Sequence, residues 1–162
     1  MNTQPCTLLV LRHAEKEMGA DPDLAPAVHQ RAQALARLLQ GVKIERMYCT
    51  EYRRTRQTLE PLAAILGVEI ETISAEDAPR WRSVISGVQA GETILICGHQ
   101  NTVPLFVEEA GGEISGMELI SGQRWIPGHI FDRLQIVHWL QAESREERRG
   151  KTLEIRFGAP CE

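Results

Sequence analysis

Residues 8–16, LLVLRHAEK, set four apolar side chains directly before Arg12 and His13. The apolar run reaches back to Cys6. CTLLVL (6–11) is too short for a helix of its own, which predicts a strand buried on both faces. Such a strand holds whatever follows it rigidly at its carboxyl end. Taken alone, Arg12-His13 is weak evidence for chemistry. An arginine in an ion pair beside a half-buried histidine is the commoner arrangement.

Outward from this run, strand-like and helix-like segments alternate. In 21–41, Val28, Ala32, Leu35, Leu38 and Leu39 fall on one helical stripe, with Gly41 as a stop. IERMYCT (44–50) reads as a second strand. In 51–67, Thr58, Leu59, Leu62, Ile65 and Leu66 recur at helical spacing before Gly67, and Pro61 predicts a kink or a late start. VEIETIS (68–74) alternates like an edge strand. APRWRSVISGVQAG (78–91) is a weaker helix, and TILIC (93–97) is a second fully apolar strand. NTVPLFVEEAGG (101–112) reads as a helix capped by Asn101 or Thr102 and ended by Gly111 and Gly112. Residues 113–130 lack periodicity and read as loop. FDRLQIVHWL and KTLEIRFG read as two strands of a hairpin joined by ESREERRGK (143–151). That charged run and the first few residues are the only candidates for disorder. The order predicts an α/β/α sandwich with a mostly parallel sheet, as one domain over 1–162.

A chain of 162 residues that is 43% hydrophobic and 25% charged is expected to bury a real core. The formal net charge of -4 argues against a broad nucleic-acid surface. No apolar run is long enough to span a bilayer. MNTQPC has neither a basic n-region nor an apolar h-region, so a cytoplasmic protein is expected. Cys6, Cys49, Cys97 and Cys161 form no CxxC and no metal spacing, and Cys49 and Cys97 are expected to be reduced core thiols. His29, His129 and His138 receive only surface or core readings.

In α/β sheets ligands bind beyond the carboxyl ends of the strands. That rule selects Arg12-His13, the stretch from Thr50 to Arg56, and Gly98 to Thr102. Arg53, Arg54 and Arg56 open a helix, where cations are disfavoured by about 0.3–1 kcal/mol each. One reason for them is solvation, with one or two of the long arginines pointing away; the other is an anion bound there by one inward arginine, whose guanidinium fork suits phosphate. His99 follows a buried strand as His13 does. There is no GxSxG elbow and no phosphate loop of the GxxxxGK[ST] kind. Two histidines and at least two arginines on one sheet edge point to an anion of concentrated charge, with an imidazole able to attack phosphorus.

With these residues in hand, LRHAEK, TEYRRTRQT and ICGHQNT resemble, in order and spacing, the histidine phosphatase superfamily, which includes the cofactor-dependent phosphoglycerate mutases. The resemblance runs through FDRLQIV and LEIRFGAP. It implies a phosphoglycerate mutase-like three-layer sandwich, with no cofactor and no metal. It implies that His13 is the nucleophile that becomes phosphohistidine and that Arg12 contacts the phosphoryl oxygens. Arg54 matches the arginine of the S-x-x-x-R-[AT]-x-[QE]-T pattern, with Thr55, Gln57 and Thr58 filling it. His99 matches the second histidine of the pocket, and Gln100 and Asn101 are expected beside the substrate.

The departures are specific. Ala14 replaces the glycine of RHG, as in other small members. Val28 stands where glycine is usual in the first helix. Gln100 replaces a small residue, or the Asp that serves one branch as general acid. In the other branch a Glu before the second histidine supplies the proton, and Glu76 and Asp77 lie in that region. Either is also suited to a turn or a helix cap. A short chain with an open pocket lets water reach a phosphohistidine, so a phosphomonoester or phosphoramidate hydrolase is expected. The substrate is a small phosphorylated metabolite or a phosphohistidine protein, with no nucleic-acid or membrane partner. A phosphate-binding regulatory protein of poor turnover, or a mutase-type phosphotransferase, are the alternatives.

Overall fold

The computed structural model describes residues 3–16, 18–19 and 29–161. Among the described residues, eight strands and four α-helices follow one another as β1 (Cys6–Arg12), α1 (His29–Leu39), β2 (Arg46–Cys49), α2 (Arg53–Leu66), β3 (Ile70–Thr72), α3 (Ala78–Ser86), β4 (Thr93–Gly98), α4 (Val103–Glu109), β5 (Glu118–Ile120), β6 (Gln123–Trp125), β7 (Arg133–Trp139) and β8 (Lys151–Arg156). The main sheet has the order β3-β2-β4-β1-β7-β8. β1, β2, β3 and β4 run parallel, and β7 is antiparallel to both β1 and β8. This is the expected mostly parallel α/β sheet.

β1 shows why a continuous apolar run is needed at the centre of such a sheet. Cys6, Leu8 and Val10 enter a core with Trp81, Ile85, Phe106 and Val107 of α3 and α4. Leu9 and Leu11 enter the other, with Leu35 of α1 and Leu59 and Leu62 of α2. Alternate residues of one strand therefore serve two different apolar layers.

The structure corrects several readings. Residues 21–28, Val28 included, lie outside the described residues. On α1 the buried stripe takes Ala36, while Leu38 is 40% exposed. α2 starts at Arg53 and continues through Pro61, because Leu59, Leu62 and Ala63 pack it down on the sheet. Ile65 falls off that face and is 55% exposed. The stretch 113–130 is not all loop, since β5 and β6 form a hairpin. Ser121 and Gly122, at φ 50 and 78, supply the two left-handed residues of a tight hairpin turn. The charged run is ordered by Arg148, which is buried and donates from Nη1 to Glu109 O at 2.7 Å. His138 pairs its Nδ1 with Thr7 Oγ1 at 2.9 Å. Cys6, Cys49 and Cys97 are buried free thiols.

The contrast on α2 gives a stability test. Leu62→Ala should cost about 2–5 kcal/mol in chemical denaturation. Ile65→Ala should stay within about 0.5 kcal/mol.

Candidate active site

Strand register brings the two histidines together. Arg12 lies opposite Gly98, and His13 N–H extends the ladder by donating to Gly98 O at 3.0 Å. His13 and His99 thus leave neighbouring strands at one level, with ring centroids 5.4 Å apart. Both are buried. Each then has its own anchor. Thr102 Oγ1 accepts from His99 N at 2.9 Å, so Thr102 fixes the histidine's backbone and makes no side-chain cap on α4. Gly98 faces Thr102 Oγ1 so closely that a Cβ there would sit 2.6 Å from it.

His13 Nδ1 lies 2.7 Å from Ala14 O. A carbonyl only accepts, so Nδ1 carries the proton and Nε2 keeps its lone pair. Ala14 N–H in turn donates to Thr58 Oγ1 at 2.9 Å, and Thr58 donates to Arg54 O at 2.8 Å. Thr58 therefore couples the loop of the nucleophile candidate to the helix of the arginine candidate. Beyond Ala14, Glu15 forms an ion pair with the buried Arg31 of α1 at 2.7 Å. Arg31 also donates to Phe157 O at 2.9 Å.

The three arginines at the start of α2 take separate courses. Arg53 is exposed. Arg56 donates to Ile70 O and to Thr72 Oγ1 of β3, at 3.2 and 2.9 Å. Arg54 lines the cleft. Its guanidinium lies 4.4 Å from the centroid of the Tyr52 ring, and its Nη2 lies 3.4 Å from His99 Nδ1. A guanidinium only donates, so His99 Nδ1 accepts and Nε2–H donates to Thr50 Oγ1 at 2.9 Å. Thr50 also meets Thr55 Oγ1 at 3.0 Å.

Arg12 is buried, with its guanidinium 4.0 Å from the centroid of the Phe131 ring. Its Nη1 donates to Gly128 O and Ile130 O, each at 3.1 Å, and its Nε is buried without a hydrogen-bond partner. The segment before β7 is thereby tied to the cleft. A second tie is Ile126 N–H to Gln100 O at 2.8 Å.

The resulting cleft has a volume of about 390 Å³. His13, Arg12, Arg54, His99, Gln100 and Asn101 all line it, as does Glu76. Asp77 does not share that position. Its Oδ1 accepts from Arg80 N at 3.1 Å as the cap of α3. Lys16, Tyr52 and Trp125 line the cleft as well, though sequence reasoning passed over them. Trp125 was hidden because only the hairpin carries it there. The turn signal Ser121-Gly122, directly after Leu119-Ile120, was the available clue. No group of three or more metal-ligating side chains occurs among the described residues.

Burial in this cationic setting keeps both imidazoles neutral. His13 is lowered to about 3, first by desolvation and then by Arg12, His99 and Arg54, against the opposing Ala14 hydrogen bond. His99 is lowered to about 4 by desolvation, then by Arg54 and Arg12. Desolvation also lowers Arg12 to about 10, which still leaves it cationic at neutral pH.

Residues 8–77 match the sequence model of the histidine phosphatase superfamily, branch 1. No curated protein matches the chain in sequence. Solved structures do match in fold. The protein histidine phosphatase SixA, complexed with tungstate, is 20% identical, with 93% of this chain and 96% of that one covered at a TM-score of 0.66. A Nakamurella multipartitia protein named as a candidate phosphohistidine phosphatase SixA is 19% identical, with 98% and 100% covered, also at 0.66. A mycobacterial glucosyl-3-phosphoglycerate phosphatase is 12% identical, with 92% and 97% covered at 0.63. Among the described residues no helix is long and apolar enough to cross a membrane.

The lowered histidine values set a pH dependence. An unfolded imidazole titrates near 6.5. As pH falls from about 6.5 toward 4 and then 3, the unfolded chain binds protons that the folded site refuses. The stabilisation is fully present above about 6.5 and is lost through that window. The slope approaches about 2.7 kcal/mol per pH unit where both histidines contribute. Denaturant titrations across the window should show this loss, and His13→Ala should reduce the slope.

Proposed function

We propose that the chain is a member of the histidine phosphatase superfamily, whose sequence model matches residues 8–77, and that it hydrolyses phosphomonoesters or phosphoramidates through a phosphohistidine on His13. One observation carries the reading. The Ala14 carbonyl holds the Nδ1 proton of a neutral His13, which leaves Nε2 as a nucleophile in a cleft lined by Arg12 and Arg54.

In the first step the Nε2 lone pair forms a P–N bond as the bond from phosphorus to the leaving oxygen or nitrogen breaks. Arg12 and Arg54 stabilise the charge spread over the equatorial oxygens. His99 orients Arg54 through the 3.4 Å contact and closes the pocket with a neutral ring. Glu76 is the acid that protonates the leaving group, and Asp77 is the helix cap. In the second step Glu76 takes a proton from water as the water oxygen attacks phosphorus. The P–N bond breaks, and phosphate and neutral Nε2 are restored. No step calls on a metal. The main sheet, its helices and the β5–β6 hairpin constitute one catalytic domain, and the open cleft favours hydrolysis over retention for transfer. The likeness to SixA supports phosphohistidine as one substrate class, beside small phosphorylated metabolites.

The decisive experiment is incubation with an aryl phosphate and trapping of acid-labile, base-stable phosphate. Wild type should form it and turn over. His13→Ala should do neither, and wild-type turnover no faster than that variant would remove the hydrolase reading. Arg54→Ala should weaken phosphate binding about 10- to 150-fold, the worth of charge-assisted hydrogen bonds. Arg53→Ala and Arg56→Ala should change it little. Glu76→Gln should slow alkyl phosphates by about 10²-fold or more while sparing aryl phosphates, whose leaving groups need no proton. Asp77→Asn keeps the cap and should leave both rates unchanged.

A further inference from the structure

A second depression of about 220 Å³ lies between α3 and α4. Its floor is apolar: Trp81, Ile85 and Phe106, with the Trp81 and Phe106 rings 4.9 Å apart. Leu105, 61% exposed, stands on its edge. Ala75 and Thr102 line both this groove and the catalytic cleft, so the two adjoin across these two small side chains. The groove is also fixed in shape, since Trp81 Nε1 donates to Ser74 O at 2.9 Å, one residue before Ala75.

Its rim carries charges, but the carboxylates there already have cations. Glu109 meets Arg148 at 3.3 Å and Arg145 at 3.9 Å, and Glu108 meets Arg124 at 3.7 Å. Beside Arg82 on the rim, what remains for recognition is the apolar floor next to the phosphoryl site. Resting on the phosphatase reading, we propose that this groove is a substrate subsite for an apolar group. The substrates it favours carry an alkyl or aryl portion that passes over Ala75 and Thr102 while the phosphoryl group sits at His13.

Binding tests this without requiring turnover. Linear alkylphosphonates from ethyl to octyl present one dianionic head with increasing apolar length. Calorimetric titration should show binding tightening about two- to fourfold per methylene, the worth of partial to full methylene burial, until the groove is filled. Ala78→Trp, at an exposed position lining only the groove, should flatten the series by filling it. Leu105→Gln, also exposed, should shallow it with less risk to folding. Equal affinity across the wild-type series overturns the subsite and leaves the phosphate pocket standing. Failure of every phosphonate to bind overturns both. A series that steepens with length in wild type and equally in both variants also overturns it, because the apolar contact then lies elsewhere.

Discussion

The register of β1 against β4 is the constraint on which the rest depends. Parallel pairing places Arg12 opposite Gly98 and lets His13 N–H donate to Gly98 O. Side chains on a strand alternate between faces, so a slip of one residue would exchange the two apolar sets of β1. Leu9 and Leu11 would then face α3 and α4, and the histidines would lose their common level. Burial on both faces thus fixes the register, and the register fixes the distance between His13 and His99. Core packing and the geometry of the candidate site are one requirement here.

Around that register, the site is assembled by short polar ties that use neutral groups to place charged ones. Thr58 links Ala14 to the first turn of α2, and Thr50 and Arg54 occupy the two ring nitrogens of His99. Hydroxyls suit this role because each both donates and accepts within a buried space. The arginines keep their charge while the imidazoles stay neutral. Desolvation and cationic neighbours act in the same direction on a histidine, and an arginine starts from a far higher pKa. In the proposed mechanism this divides labour between electrostatic stabilisers and a nucleophile that needs no deprotonation at neutral pH.

The pattern of apolar runs already disclosed the sheet, its helices and the three strand ends, because burial on two faces leaves a plain mark in sequence. Arg12, His13, Arg54 and His99 were legible as a set for the same reason, since each follows or opens a strongly patterned element. Glu76 and Asp77 were not separable, because adjacent carboxylates before a helix look alike until the cap geometry assigns Asp77 to Arg80 N. Ile65 and Leu38 were misplaced because one-stripe periodicity ignores where the neighbouring layer ends. Trp125 and the hairpin carrying it depend on contacts of the 126–130 segment with Gln100 and Arg12, which no local pattern encodes.

β7 enters the sheet beside β1, although more than a hundred residues separate them in the chain. On the ribosome, β1 emerges well before β4 and finds it only after the three intervening helices α1, α2 and α3 have been made. It then waits for residues 133–139 before its other edge is paired. Through that interval an apolar strand with an open edge is exposed to other chains, the arrangement most prone to wrong pairing. The carbonyls of Gly128 and Ile130 that hold Arg12 also arrive late. The motif at the end of β1 is therefore completed by a segment made more than a hundred residues later, so a chain released between the two would carry the signature residues without a formed pocket.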